Sequence, residues 1–264
     1  MNRSLFTITA ACLALPLSQA SAALLIDFGS TGYSGTDSPG HEDGNATGTV
    51  WNTVSGDVAA GGLVDQDGSV LTGVALDFGV GAVAGINYAN SVRTDTRDHS
   101  DYPLWDSGLG EDHIFRDVSA EGPAIALGVT GLQPGVYDFY LTSFRGDNAA
   151  NASRDYDVYT TTSTIAVTDF SGDFLDEIVN DNETTVTNWI AGDNYATGQF
   201  TITAAGEGFY IAVDSPGLAG ETNSPFIGIM SGLEIVPVPI PEPSSAALLT
   251  LGVGLLVLRG KKTS

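Results

Sequence analysis

The chain has 264 residues, 32 acidic against 9 basic, for a formal net charge of −23, and it carries one cysteine. So large a negative excess excludes nucleic-acid binding by phosphate neutralisation. The lone Cys12 excludes a disulfide framework, cysteine catalysis and cysteine-ligated zinc.

Taken in chain order, residues 1–22 read as a secretory signal peptide. Arg3 supplies the basic start, Leu5–Leu17 the apolar run, and Ala20-Ser21-Ala22 the small residues of a cleavage site before Ala23. The run is too short to span a bilayer and is interrupted by Pro16. From Ala23 to Ile240 there are 31 acidic residues, five arginines and no lysine, about −26 in all. Such a surface suits a salty exterior and attracts cations.

The stretch 23–236 is punctuated by turns and alternates in short segments, so it is predicted to be all-β. Leu24–Phe28 is the first strand, ending at Gly29. A loop rich in Gly, Ser and Asp follows, and Val50-Trp51-Asn52 begins a second strand. Asp65-Gln66-Asp67-Gly68 is a turn. It has half of a calcium-loop start but lacks the closing glutamate, so a turn is the better reading. Val70–Phe78 alternates, with Val70, Val74, Leu76 and Phe78 on one face. Asn90–Asp112 is polar and aperiodic, a long surface excursion carrying Arg93, Arg97, His99, Tyr102 and Trp105, with His113 just beyond.

Strands resume at Ile125–Val129. Gln133-Pro134-Gly135 turns into Val136–Leu141. Tyr156–Tyr159 is another strand, and Phe174–Val179 makes a helical turn at most. Phe200–Thr203 and Phe209–Val213 are predicted to pair around Ala205–Gly208. Ile227–Met230 and Leu233–Ile235 close the domain. Many short strands separated by turns predict an antiparallel β-sandwich.

Residues 237–264 have three parts in order: Pro241-Glu242-Pro243, the apolar run Ala246–Leu258, and the basic tip Arg259–Lys262. At ~1.5 Å per residue the run is shorter than the ~30 Å hydrocarbon layer, and snorkelling of the basic tip would stretch it. The tip should stay cytoplasmic, leaving the preceding domain outside. This order resembles the PEP-CTERM sorting signal of Gram-negative bacteria. The resemblance implies an exosortase, a membrane protease-transpeptidase, as processing partner, with transient anchoring in the inner membrane. The order Leu25–Ser30, Trp51-Asn52, Gly135–Phe139, Ser143-Phe144-Arg145, Arg154, Tyr156 and Gly228–Ile235 resembles exported PEP-CTERM proteins with galactose-binding-like jelly-roll domains. The fold this implies is a jelly roll.

No Gly-x-Ser-x-Gly elbow, P-loop, dinucleotide fingerprint or His-Glu-x-x-His occurs. Asp37-Ser38 with His41 does not make a triad by adjacency alone. With so many acids, a carboxylate pair at glycosidase spacing carries no signal. Sugar recognition needs an aromatic surface plus hydrogen-bonding partners. The candidates are Trp105, Tyr102, Arg93, Arg97 and Arg145, with Trp51 and Trp189 behind them. Arg145 and Arg154 are read first as structural partners of nearby aspartates. Asp37, Glu42 and Asp43 are candidate ligands for Ca²⁺, which fits the chain better than a transition metal at His99 and His113. The expectation is a non-catalytic surface or matrix protein associated with extracellular polysaccharide. The alternatives are a specific carbohydrate-binding module and, behind it, a glycan-active hydrolase or lyase.

Overall fold

Backbone donors and acceptors in a chain of short apolar alternations find partners most readily in sheets. The computed structural model describes residues 22–30, 38–40, 49–78, 93–96, 102, 104–105, 112–118, 125–145, 154–162, 174–179, 185, 187–215 and 226–239. The expected signal peptide up to residue 21, Arg97, Asp37, Glu42, Asp43, the Pro241–Pro243 motif and the apolar run beyond it lie outside these residues. Among the described residues there is no helix long and apolar enough to cross a membrane.

The described strands are β1 (Leu24–Phe28), β2 (Asn52–Val54), β3 (Ala75–Asp77), β4 (Arg93–Thr96), β5 (Asp112–Val118), β6 (Ile125–Thr130), β7 (Gly135–Thr142), β8 (Tyr156–Thr161), β9 (Phe174–Ile178), β10 (Tyr195–Ile202), β11 (Gly208–Asp214), β12 (Phe226–Met230) and β13 (Gly232–Pro237). They form one sheet in the order β10-β7-β13-β1-β2, a second in the order β3-β6-β11-β8-β9, and a third of β12-β5-β4. All pairings in these sheets are antiparallel except β1 with β2.

The period of two decides which residues face inward. In the first sheet Leu24, Ile26, Phe28, Phe139, Leu141, Leu233 and Ile235 do so. In the second, Ile125, Leu127, Val129, Val158, Phe209, Ile211 and Val213 do so. All belong to one buried cluster, which makes the two five-stranded sheets a sandwich. Aromatic contacts cross between the sheets. Phe200 of β10 stacks on Phe209 of β11 with ring centroids 3.9 Å apart, and Phe139 of β7 lies 5.0 Å from Phe209. Each such ring removes on the order of 150–250 Å² from water, the main reason the fold needs no disulfide.

Two polar devices fix the layers. Asn52 Nδ2 donates to Leu25 O at 2.9 Å and Val64 O at 2.8 Å, while Val64 N donates to Asn52 Oδ1 at 2.9 Å. One amide thus ties β1, β2 and the following loop. At the end of β6, Gly131 has φ of +79°, and a Cβ there would lie 1.8 Å from Gly73 O. Only glycine permits that turn and that approach together.

Several expectations are corrected. β10 and β11 do not pair with each other. β10 pairs with β7 and β11 with β6 and β8, so Ala204–Glu207 crosses from one sheet to the other. The inward turn of Phe200 and Phe209 onto one another explains why. Phe174–Ile178 is an edge strand and not a helical turn, because β8 offers a ladder and Ile178 is buried opposite Tyr156. The excursion from Asn90 to Asp112 contains β4 and leads into β5, with Tyr102, Trp105 and Asp112 buried. Only Ala75–Asp77 of the Val70–Phe78 stretch pairs in a sheet. Val70 is 57% exposed, held at the close of a turn where Val64 and Val70 bridge. That turn is local. Asp65 Oδ1 accepts the N–H groups of Asp67 at 3.0 Å and Ser69 at 2.8 Å, as expected of a turn aspartate.

Candidate functional site

Beyond the main core, a second aromatic cluster gathers Tyr102, Trp105 and Phe144, with Leu104 and Trp189 packed against it. Local sequence positions each member. Phe144 follows β7 in Ser143-Phe144-Arg145. Ser143 Oγ donates to Ile229 O at 2.7 Å, and Phe144 N donates to Ser231 Oγ at 3.2 Å. These bonds pin the end of β7 to the junction of β12 and β13. Trp105 N donates to Tyr102 O at 2.9 Å, which closes a turn.

The Trp105 and Phe144 rings stack at 4.5 Å with 4° between planes. Tyr102 meets Phe144 edge-on at 5.2 Å, and Trp189 meets Trp105 edge-on at 5.1 Å and 88°. Trp189 sits on a loop closed by Asn194, which is fully buried. Ile190 N donates to Asn194 Oδ1 at 2.8 Å, and Asn194 Nδ2 donates to Asn188 O at 3.2 Å. The Trp189 ring is partly exposed, while its Nε1–H is buried and makes no hydrogen bond.

This overturns the reading of Trp105 and Tyr102 as an open sugar-stacking surface. Trp105 is 0% exposed and Tyr102 7%. One face of Trp105 is covered by Phe144 and its flank by Trp189. Trp189, ranked lower from the sequence, is the partly exposed ring of the group.

The arginines have separate placements. The Arg145 guanidinium lies 5.2 Å from the centroid of the Phe115 ring, a cation–π distance. Arg93 stands opposite Phe115 in the β4–β5 register. Arg154 is buried, and its Nη1 donates to Ser215 Oγ at 3.5 Å. Trp51, in front of β2, is partly exposed and apart from this cluster.

Several polar groups at β1, β5 and β13 are buried. Asp27, Asp112, His113 and Glu234 are each at most 2% exposed. Asp112 accepts the Ser30 N–H, and a Cβ on Gly29 would lie 2.0 Å from Asp112 Cγ. The glycine after β1 is what lets the carboxylate reach the backbone. Glu234 accepts the Gly40 N–H at 3.0 Å, tying residue 40 to the outer face of the first sheet. His113 packs 5.6 Å from Phe115. Among the described residues there is no group of three or more metal-ligating side chains.

Acids also line the second sheet. Burial holds the Asp157 carboxyl above its usual range, partly opposed by a hydrogen bond from Tyr159. Burial, and then Asp155, Asp157 and Asp176, push Glu177 up in the same way.

No protein-family model matches the chain, and no curated protein matches it in sequence. Solved structures resemble it remotely. The YXIM protein of Bacillus subtilis is 16% identical with a TM-score of 0.37, covering 82% of this chain and 40% of that one. The chain thus matches well under half of that protein's length. The xylan-binding module CBM15 is 10% identical with a TM-score of 0.26, covering 58% of this chain and 94% of that one. A family 35 carbohydrate-binding module from an environmental isolate is 16% identical with a TM-score of 0.26, covering 63% of this chain and 98% of that one. Likenesses this remote carry no argument about function, and the fold rests on the strand pairings above.

Proposed function

We propose that the chain is an exported, non-catalytic β-sandwich that is sorted through its C-terminal signal and associates with neutral extracellular polysaccharide at the surface of a Gram-negative bacterium. The finer architecture in this reading is the galactose-binding-like jelly roll. Residues Pro241-Glu242-Pro243, the apolar run and the basic tip support processing by an exosortase. The lysine-free domain, near −26, supports a life outside the cytoplasm, and that charge repels polyuronates and favours neutral glycans.

The observation that carries the glycan reading is Trp189. Its ring is partly exposed, braced edge-on by buried Trp105 and held on a loop clamped by Asn194. A fixed ring can stack on the CH face of a sugar with little ordering cost. Arg145 follows Phe144, the ring stacked on Trp105, in the chain.

Affinity electrophoresis of the full chain through gels containing neutral polysaccharides tests this. Retardation of the wild type that is lost in Trp189→Ala is the expected result. Equal retardation of both, or none of the wild type in any gel, would overturn the glycan reading. Repeating the run with EDTA tests Asp37, Glu42 and Asp43 as calcium ligands.

A further inference from the structure

Three carboxylates stand abreast on adjacent strands of the second sheet. Asp214 of β11 is opposite Asp157 of β8, and Asp157 is opposite Glu177 of β9. Residues directly opposite on one face hold their Cβ atoms about 4.5–5.5 Å apart, and like charges so placed oppose the pairing. The row occupies the face turned from the core, since the flanking Val213, Tyr156, Val158 and Ile178 are buried inward. β9 is the outermost strand and is held in its sheet by β8 alone.

Residues beside the row in sequence bring further acids and one buried arginine. Asp155 lies at the start of β8, and Asp176 precedes Glu177 on β9. Both, together with Asp157, raise the Glu177 carboxyl beyond what burial does. Tyr159 donates to Asp157 and offsets part of its rise. Arg154, just before β8, is buried and directed to Ser215. β10, which also packs against β9, brings only the Tyr195 phenol as a titratable group.

We propose that β9 is a proton-controlled edge: its pairing with β8 tightens as Asp157 and Glu177 take up protons and loosens as they ionise. A carboxyl raised in the folded state gives stability that is fully present below its unfolded pKa and is lost as pH rises through the folded value. The β8–β9 ladder is therefore firmest below the ordinary carboxylate range and loosens as pH rises through the raised folded values of Asp157 and Glu177. A domain lodged in a matrix would close this edge as its surroundings acidify.

Amide hydrogen exchange of the full chain, corrected for intrinsic rates, reads the opening of residues 174–178 directly. From about pH 3.5 to about pH 7.5 the opening constant should rise roughly 1.5- to fivefold, the size expected for the one like-charge pair, Asp157 with Glu177, that spans β8 and β9. In Glu177→Gln, a change at a partly exposed position, that rise should shrink by at least half. In Asp67→Asn, an exposed acid on a distant turn, it should persist in full. A pH-independent β9, or a wild-type slope retained in Glu177→Gln, would overturn the proposal.

Discussion

Replacing Trp105 by alanine separates a packed ring from an open one. The ring is fully buried, stacked on Phe144 and flanked by Trp189. Its removal returns on the order of 200 Å² of apolar surface, or ~5 kcal/mol at ~25 cal/mol per Å², as an upper figure. Measured tryptophan and phenylalanine truncations in cores cost about 3–5 kcal/mol, which is the expected loss here. With a urea m-value of about 2.5 kcal/mol/M, the unfolding midpoint of the full chain should fall by roughly 1–2 M. Trp105→Phe keeps the stack and should recover more than half of that loss. A double-mutant cycle of Trp105→Ala with Phe144→Ala should show about 0.5–1.5 kcal/mol of coupling. A midpoint change worth less than about 0.5 kcal/mol, typical of surface positions, would refute the burial of this ring.

Further outcomes follow from the same contacts. Asn52→Ala removes three hydrogen bonds that tie β1 to the loop at Val64, two of them to backbone oxygens. It should cost about 2–3 kcal/mol in urea unfolding, with the m-value unchanged. Gly131→Ala forces a Cβ against Gly73 O at positive φ and should cost more than ~2 kcal/mol, read as a lower melting temperature. Glu207 Oε2 accepts the amides of Thr203 at 2.6 Å and Ala204 at 3.1 Å, and Oε1 accepts the Thr203 hydroxyl at 2.7 Å. These bonds hold its carboxyl below the usual glutamate range, those from Thr203 contributing most. The turn should therefore keep its order above the ordinary glutamate value and lose it as pH falls through the lower, folded one. The amide shifts of Thr203 and Ala204 should titrate with that depressed midpoint, and Glu207→Gln should abolish the titration.

What was legible in the sequence was whatever depends on near neighbours. Leu24–Phe28, Ile125–Thr130 and Gly135–Thr142 announce themselves by apolar alternation and by the Pro134-Gly135 turn. The turn aspartate at Asp65 is likewise a local device. β5 was hidden because it opens with Asp112 and His113, polar residues that are buried against distant partners, Asp112 at the Ser30 amide. β9 was hidden because Asp176 and Glu177 sit beside each other, and pairing with β8 overrides the local preference. Trp105 looked exposed because its neighbours in sequence are polar. The residue that covers it, Phe144, lies about forty positions away, and Trp189 more than eighty. The charge row Asp214, Asp157 and Glu177 exists only once the register is known. No periodicity marks any of these long-range pairings.

The account as a whole turns on where the chain resides and how it ends there. Fractionation of expressing cells, with mass spectrometry of both termini, decides this. A chain recovered outside the cytoplasm, beginning at Ala23 and ending within Pro241–Ser245, is the predicted result. An intact Ser264 in the membrane fraction, or a chain retaining Met1 in the cytoplasm, would contradict it.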